Sequence, residues 1–165
     1  MLYTGPKLVW HLIGHLQVNK VRQAVPMFDL IHSVDSKKLL DEIEKVAAKH
    51  DKVQDILLQV NVAREASKSG MSVEEFPDIR DYAKTLPHVR VKGLMCMAPF
   101  FENPEDARPI FRVAHALYED MKGYFPDGDI QYLSMGMTHD FEIALQEGAN
   151  IVRVGTAIFG ERVYN

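Results

Sequence analysis

A serine, an arginine and a Gly-Thr pair lie close together near the end of the chain, in the stretch Tyr132–Gly160. This stretch reads as strand, glycine turn, helix, strand and Gly-Thr turn. Ser134 lies on the first strand and Arg153 on the second, which Gly155-Thr156 follows directly. Backbone N–H groups and hydroxyls at a strand-to-helix turn are the groups that bind phosphate. The pattern therefore predicts a phosphate site made by Ser134, Gly155 and Thr156, with the cation of Arg153 beside it.

Each of these residues also has a simpler interpretation. Ser, Gly and Thr are common in turns because of backbone geometry alone, and Gly-Thr by itself is a weak signal. For Arg153 the alternative role is a salt bridge at the strand ends, with Asp35 as the partner. The phosphate site is favoured because Ser134 and Gly155-Thr156 belong to successive strands of one predicted sheet.

The composition indicates one folded domain that spans residues 1–165. Hydrophobic residues make up 47% of the chain and charged residues 25%, which is ordinary for a globular protein. A chain of this length buries a sizeable core without disulfides or metals. The formal net charge is −4 and no basic run occurs, so nucleic acid is not an expected partner.

Cysteine usage and hydropathy point to a cytoplasmic protein. Cys96 is the single cysteine, which excludes an internal disulfide and fits a reducing compartment. The first residues carry no basic segment followed by an apolar one, so no signal peptide is expected. The apolar runs are shorter than the roughly 20 residues that span a bilayer, so no membrane partner is expected.

Apolar strands and amphipathic helices alternate along the chain in six strand–helix units. The strands are short and almost wholly apolar, which is typical of strands buried on both faces. Ser36 is predicted to cap one helix, and Ser72 with Glu75 resembles a capping box for the next. The predicted strands are Leu8–Gly14, Asp29–Asp35, Val53–Asn61, Val89–Met97 and the two of Tyr132–Gly160, and the longest predicted helices are Lys37–Lys49 and Glu105–Tyr124.

This alternation requires parallel strands joined by right-handed crossovers. Two architectures satisfy it, an open doubly wound sheet and a (β/α)₈ barrel. Polar residues and glycines gather where the predicted strands end, and both architectures place active sites at that edge.

Several other residues with reactive or ligating side chains have simpler explanations. His11, His15 and His32 lie near two strand ends, but no carboxylate or cysteine has the spacing of a metal set, so we expect no metal site. His11 and His32 are predicted to be hydrogen-bonded interior residues. Cys96 is predicted to be an inert core residue. In the polar loop that contains Asn61, Ser67 and Lys68, the lysine either approaches a phosphate or a partner, or is simply solvated.

Six segments of the chain, in order, resemble the pyridoxal phosphate homeostasis protein family, whose barrel is similar to the N-terminal domain of alanine racemases. Together they cover nearly the whole sequence. The matching segments are Trp10–Lys20, Ile31–Asp35, Gln59–Gly70, Gly93–Met97, Ser134–Phe141 and Val152–Gly160.

The resemblance implies a (β/α)₈ barrel of the TIM type that holds pyridoxal phosphate as a Schiff base on a lysine at the end of the first barrel strand. The present sequence matches from the third strand onward, so we expect about six parallel strands, numbers 3–8 of the barrel. The lysine motif and the family's GENxxQE segment are not among the 165 residues, and Lys7 does not lie in that motif. We therefore expect a chain that is truncated and defective in Schiff-base formation.

Six strands leave two apolar sheet edges open, predicted at Trp10–Ile13 and Ile151–Val154. Open edges pair readily with other chains. We expect a gapped barrel, a multimer that covers the gap, or a piece of a longer protein. The resemblance implies that full-length members are monomers, whereas this chain is expected to self-associate through its open edges.

The function implied by the resemblance is that of a non-catalytic carrier. It would bind pyridoxal phosphate reversibly, buffer it and deliver it to apoenzymes that depend on it. Arg153 would face the pyridine nitrogen, and because arginine stays protonated it would leave that nitrogen unprotonated, which weakens the ring as an electron sink. Two alternatives stay open, a racemase-like enzyme that uses the same cofactor and a ligand-free fragment that only assembles with a missing half.

Overall fold

The computed structural model describes residues 5–65 and 69–160, and its centre is one six-stranded parallel sheet. The strands lie side by side in the order of the sequence. Their bounds are β1 His11–Leu12, β2 Leu30–Val34, β3 Gln54–Val60, β4 Val89–Cys96, β5 Tyr132–Met137 and β6 Ile151–Arg153.

The strand order and a contact across the sheet distinguish the two predicted architectures. A doubly wound sheet reverses its strand order at a switch point, whereas here every strand pairs with its sequence neighbour. The imidazole of His32 on β2 lies 3.0 Å from the hydroxyl of Ser134 on β5, although β3 and β4 stand between these strands. The sheet is therefore strongly curved, and the predicted incomplete (β/α) barrel with six parallel strands is confirmed.

In the described residues six α-helices connect and flank the strands, and the two predicted caps are present before α2 and α3. The Ser36 hydroxyl accepts a hydrogen bond from the Leu39 amide at the start of α2. Ser72 and Glu75 bond each other's amides reciprocally, as in a capping box. No helix in the described residues has the length and apolar character of a membrane span. The helices are α1 Val21–Met27, α2 Lys37–Lys49, α3 Phe76–Ala83, α4 Arg108–Met121, α5 Phe141–Gln146 and α6 Thr156–Phe159.

The predicted bounds of the helix Glu105–Tyr124 are wrong, because the α-helix begins at Arg108 and ends at Met121. The helical segment begins as a 3₁₀ turn, Pro104–Ala107, and becomes α-helical at Arg108 because Pro109 fits only into the first turn of an α-helix. Val113, within this helix, is 41% exposed. The buried stripe has 3-4-3 spacing and consists of Phe111, Ala114, Tyr118 and Met121.

The predicted buried strand Leu8–Gly14 is also wrong, since only His11–Leu12 pairs as a strand and its surroundings are exposed. Val9 is 67% exposed and Trp10 is 56% exposed. The physical reason is position in the sheet, because β1 is an edge strand with β2 as its single neighbour. A run of apolar residues predicts burial only when both neighbouring strands are present.

The two faces of the curved sheet differ in chemistry. The convex face carries most of the apolar core and packs against the helices. The concave face has a small apolar cluster of Leu30, Leu57 and Met95. Because side chains alternate along a strand, His32 and Ser134 share the concave face with this cluster. The inside of the half-barrel is therefore partly polar, and its polar groups come from strand residues.

Candidate functional site

Arg153, at the end of β6, is a buried cation held by two neutral acceptors. Its Nη1 donates to the Ser134 hydroxyl at 2.7 Å, and its Nη2 donates to the Cys96 carbonyl at 2.9 Å. These partners lie on β5 and β4, so the guanidinium reaches back across two strands. Two bonds to different nitrogens fix both the position and the plane of the group.

Arg153 has no carboxylate within ion-pair distance among the described residues, so the alternative salt bridge to Asp35 does not form. Asp35 instead accepts a hydrogen bond from the Gly70 amide at 3.2 Å. Burial lowers the pKa of Arg153, but a guanidinium keeps its proton at any ordinary pH. The inside of the half-barrel therefore holds a positive charge that these residues do not neutralise.

Ser134 lies at the centre of this buried group. It is fully buried, accepts the bond from Arg153, and lies 3.0 Å from Nδ1 of His32. Both contacts are side-chain contacts within the concave face. The structure thus brings two of the four predicted site residues, Ser134 and Arg153, into direct contact.

Gly155 and Thr156 lie at an exposed turn directly after Arg153. The Gly155 amide donates to the Thr138 hydroxyl at 3.2 Å, and the space around the Gly155 α-carbon is open. Thr156 and Ala157 are the first residues of α6, so their amides have no acceptor within that helix. This turn exposes N–H and O–H donors to solvent, as phosphate binding requires.

Thr138 is a site candidate that the sequence reasoning missed. It follows β5 as Thr156 follows β6, and its hydroxyl meets Gly155 across the gap between the two strand ends. The signal was present, because Thr138 belongs to the segment Ser134–Phe141 that carried the family resemblance. Ser134 was predicted to bind the phosphate, but it is fully buried and its hydroxyl accepts from Arg153.

Two histidines extend the hydrogen-bonded group of Arg153 and Ser134. His32 Nε2 lies 3.1 Å from His11 Nδ1. The pKa of His32 is lowered to about 3, mainly by burial and further by His11 and Arg153. Burial also lowers the pKa of His11, although Asp29 opposes the shift. His32 is a hydrogen-bonded interior residue as predicted, whereas His11 is bonded but exposed at the sheet edge.

The remaining candidates lie around this centre or outside the described residues. Cys96 is buried, and burial raises its pKa to about 12, so its thiol is unreactive near neutral pH. The side chain of Asn61 closes its loop by bonding the backbone of Glu65. Ser67 and Lys68 lie outside the described residues. No group of three histidine, cysteine or carboxylate side chains in the described ranges has metal-binding geometry.

The site therefore has two chemically different ends. The inner end offers a fixed buried cation that suits a hydrogen-bond acceptor or partial negative charge. The outer end, at the carboxyl edge of β5 and β6, offers exposed amides and hydroxyls that suit an anion. A ligand with an acceptor at one end and a phosphate at the other matches both.

Comparison with known proteins places the chain in one family. Residues 2–163 match the family model described as the alanine racemase N-terminal domain. A pyridoxal phosphate homeostasis protein of Aquifex aeolicus is 48% identical over 157 residues, which cover 95% of this chain and 68% of that protein. The protein of that name from Escherichia coli strain K12 is 35% identical, with 96% and 67% covered.

Solved structures agree with the sequence relatives. PipY of Synechococcus elongatus without pyridoxal phosphate superposes with a TM-score of 0.86 at 35% identity, covering 94% of this chain and 72% of PipY. PipY with pyridoxal phosphate bound superposes with a TM-score of 0.78 at 34% identity, over the same shares. Diaminopimelate decarboxylase of M. jannaschii, at 14% identity and a TM-score of 0.72 over 90% of this chain and 43% of that one, shares the fold alone. On these matches and on its sequential parallel half-barrel, the chain belongs to the pyridoxal phosphate homeostasis protein family, built on the alanine racemase N-terminal domain.

Proposed function

We propose that this protein binds pyridoxal phosphate reversibly and serves as a non-catalytic carrier in pyridoxal phosphate homeostasis. The observation that carries the proposal is the buried Arg153 guanidinium, held by neutral groups, two residues before an exposed Gly-Thr turn. The names of the relatives and the ligand of PipY support the choice of cofactor. Burying an uncompensated charge is costly, and a bound acceptor offsets part of that cost.

In this proposal Arg153 receives the pyridine ring. Two of its five N–H groups are engaged by Ser134 and the Cys96 carbonyl, which leaves donors for the ring nitrogen. A permanently charged guanidinium donates a proton into this hydrogen bond but does not transfer it. When bound, the cofactor supplies an aldehyde that reacts with amines and a ring that withdraws electrons. Arg153 keeps the ring nitrogen unprotonated and so limits that withdrawal, as suits a carrier.

The phosphate lies at the exposed turn in this proposal. The amides of Thr156 and Ala157 and the hydroxyls of Thr138 and Thr156 are its donors, and Gly155 allows close approach because no atom crowds its α-carbon. Ser134 stays in the cofactor site, but it acts on the guanidinium. An exposed phosphate end suits release to apoenzymes that depend on the cofactor.

The absence of catalysis is part of the proposal. Among the described groups of the concave face, His32 has a pKa of about 3 and therefore cannot accept a proton near neutral pH. We further propose that these 165 residues bind the cofactor without a covalent link to lysine. Borohydride treatment of the complex, followed by mass spectrometry, should label no specific lysine. L-Alanine incubated with the complex should keep its optical purity, which separates the carrier from a racemase.

The site is tested by comparing affinities for pyridoxal phosphate and for pyridoxal, which lacks the phosphate. Thr156→Ala should weaken binding of pyridoxal phosphate about tenfold or more, since it removes a hydrogen bond to a charged group, and leave binding of pyridoxal unchanged. Arg153→Ala should weaken binding of both. Thr85→Ala is the matched control, because Thr85 bonds the Tyr82 carbonyl just before β4, at the opposite end of the sheet. Equilibrium dialysis supplies the dissociation constants, and unchanged constants for both variants would remove the assignment.

A further inference from the structure

A chain of four side chains crosses the concave face of the half-barrel. Arg153 Nη1 lies 2.7 Å from the Ser134 hydroxyl, which lies 3.0 Å from His32 Nδ1. His32 Nε2 lies 3.1 Å from His11 Nδ1. The chain connects β6 with β5, β2 and β1, so it joins the two edges of the sheet through its interior.

The direction of these hydrogen bonds follows from which groups donate. A guanidinium only donates, so the Ser134 oxygen accepts from Arg153. The Ser134 hydrogen then has His32 Nδ1 as its acceptor, and His32 Nε2–H donates to His11 Nδ1. The opposite tautomer of His32 would leave the Ser134 hydrogen without an acceptor among the described residues. The lowered pKa of His32 agrees with a neutral ring that accepts on one side and donates on the other.

This arrangement holds Arg153 without neutralising it. A carboxylate partner would fix the guanidinium equally well, but it would also cancel its charge towards a ligand. The serine and histidine partners are uncharged, and each is fully buried. His32 therefore stabilises one orientation of the Ser134 hydroxyl, and that orientation turns the oxygen lone pairs towards Arg153. Preorganised donors of this kind lower the ordering cost of binding.

We propose that His32, supported by His11, is a positioning residue for pyridoxal phosphate, which orients the Arg153 guanidinium towards the ring nitrogen by way of Ser134. This inference rests on the proposed function and adds two residues to it. Neither histidine touches the cofactor in this proposal. Its distinguishing consequence is that the histidines affect recognition of the ring nitrogen and leave recognition of the phosphate unchanged.

The test compares two ligands that differ at one ring atom, pyridoxal phosphate and its 1-deaza analogue, which has carbon in place of the ring nitrogen. His32→Leu removes the acceptor of the Ser134 hydrogen and should weaken binding of pyridoxal phosphate about tenfold, with little change for the analogue. His32→Asn keeps an acceptor near the Nδ1 position and should restore most of the affinity. His11→Phe keeps the ring contact at the exposed end of the chain and should weaken binding about threefold. His88→Leu, which breaks a bond to Glu44 just before β4, should change neither affinity.

The possible results separate the inference about His32 from the proposed function. Equal losses for both ligands in His32→Leu would mean a merely structural role and would overturn the inference. If Arg153→Ala discriminates between the ligands but the histidine variants do not, the inference fails and the proposed function stands. If wild-type protein binds neither ligand, both fail. Nitrogen NMR of the wild-type imidazoles tests the hydrogen-bond direction without any substitution, and a proton on Nδ1 of His32 would contradict it.

Discussion

Arg153 places a buried positive charge on the concave face, because both of its hydrogen-bond partners are uncharged. Arg153 is buried and bonded to a hydroxyl and a carbonyl, with no carboxylate at ion-pair distance in the described residues. The other arginines in the described residues each form an ion pair. Arg108, for example, binds both Glu105 and Glu147. The contrast between these two arginines is that Arg108 is neutralised by carboxylates, whereas Arg153 has neutral partners.

The buried His32 makes the stability of the folded protein depend on pH. The pKa of His32 is about 3 in the folded protein, against an ordinary value near 6.5. The unfolded chain therefore binds more protons between these values, so stability is fully present above pH 6.5 and falls as the pH drops towards 3. The loss from this group approaches roughly 4–5 kcal/mol.

We predict that His32→Asn flattens this dependence. Its free energy of unfolding, measured by urea denaturation between pH 6 and pH 4.5, should fall less steeply than that of wild type by about 1.4 kcal/mol per pH unit. His50→Asn, at an exposed position that follows α2, should leave the slope unchanged. Parallel curves for wild type and His32→Asn would show that His32 is protonated in the folded state.

At the level of elements, the sheet depends on one close approach between β4 and β5. Gly93 pairs with Leu57 on one side and Tyr132 on the other, next to a register shift in the β3–β4 pairing. Its φ is +151°, and a β-carbon added there would lie 1.8 Å from the Tyr132 carbonyl oxygen. Only glycine fits this position without moving the backbone of β5.

Gly93→Ala should therefore destabilise the protein by about 2–4 kcal/mol, because the chain must either move β5 or leave its preferred backbone conformation. Gly14→Ala is the matched control, since nothing lies within 4 Å of the added atom, and its effect should stay within about 0.5 kcal/mol. Thermal and urea denaturation supply the comparison. Equal stability of the two variants would mean that β4 and β5 are farther apart than the structure has them.

At the level of the whole molecule, the sheet formed by residues 5–65 and 69–160 ends at β1 and β6, and exposed apolar side chains lie near both edges. Val9 and Trp10 are exposed beside β1, and Phe159, in the short helix that follows β6, is 85% exposed. Exposed apolar edges promote association. The described chain combines a well-packed convex core with a concave face on which β5 and β6 supply Ser134 and Arg153.

We predict that the 165-residue protein self-associates through these edges as its concentration rises. Val9→Lys places a charge beside the edge strand and should shift sedimentation-velocity profiles towards the monomer. Val113→Lys changes the same residue type at an exposed position on α4, away from either edge, and should leave the profile as in wild type. A monomeric wild type at all concentrations would contradict the prediction.

The sequence alone determined the features that depend on residues close together in the chain. Strand–helix alternation indicated parallel strands, and hydroxyls before helices indicated the caps at Ser36 and Ser72. The segments around Arg153 and Gly155 indicated the family and the turn for which we propose phosphate binding. These features are readable because periodicity and capping act over a few residues.

The tertiary structure decided which side chains meet and which are covered. His32 and Ser134 are 102 residues apart in sequence yet share a hydrogen bond, and no local pattern encodes that pairing. In the structure β1 is largely exposed, α4 begins at Arg108, and the Thr138 hydroxyl accepts a hydrogen bond from the Gly155 amide. None of these features was predicted from the sequence. Burial and long-range contact depend on the curvature of the whole sheet and on which strands lie at its edges, and those properties exist only once all six strands are assembled.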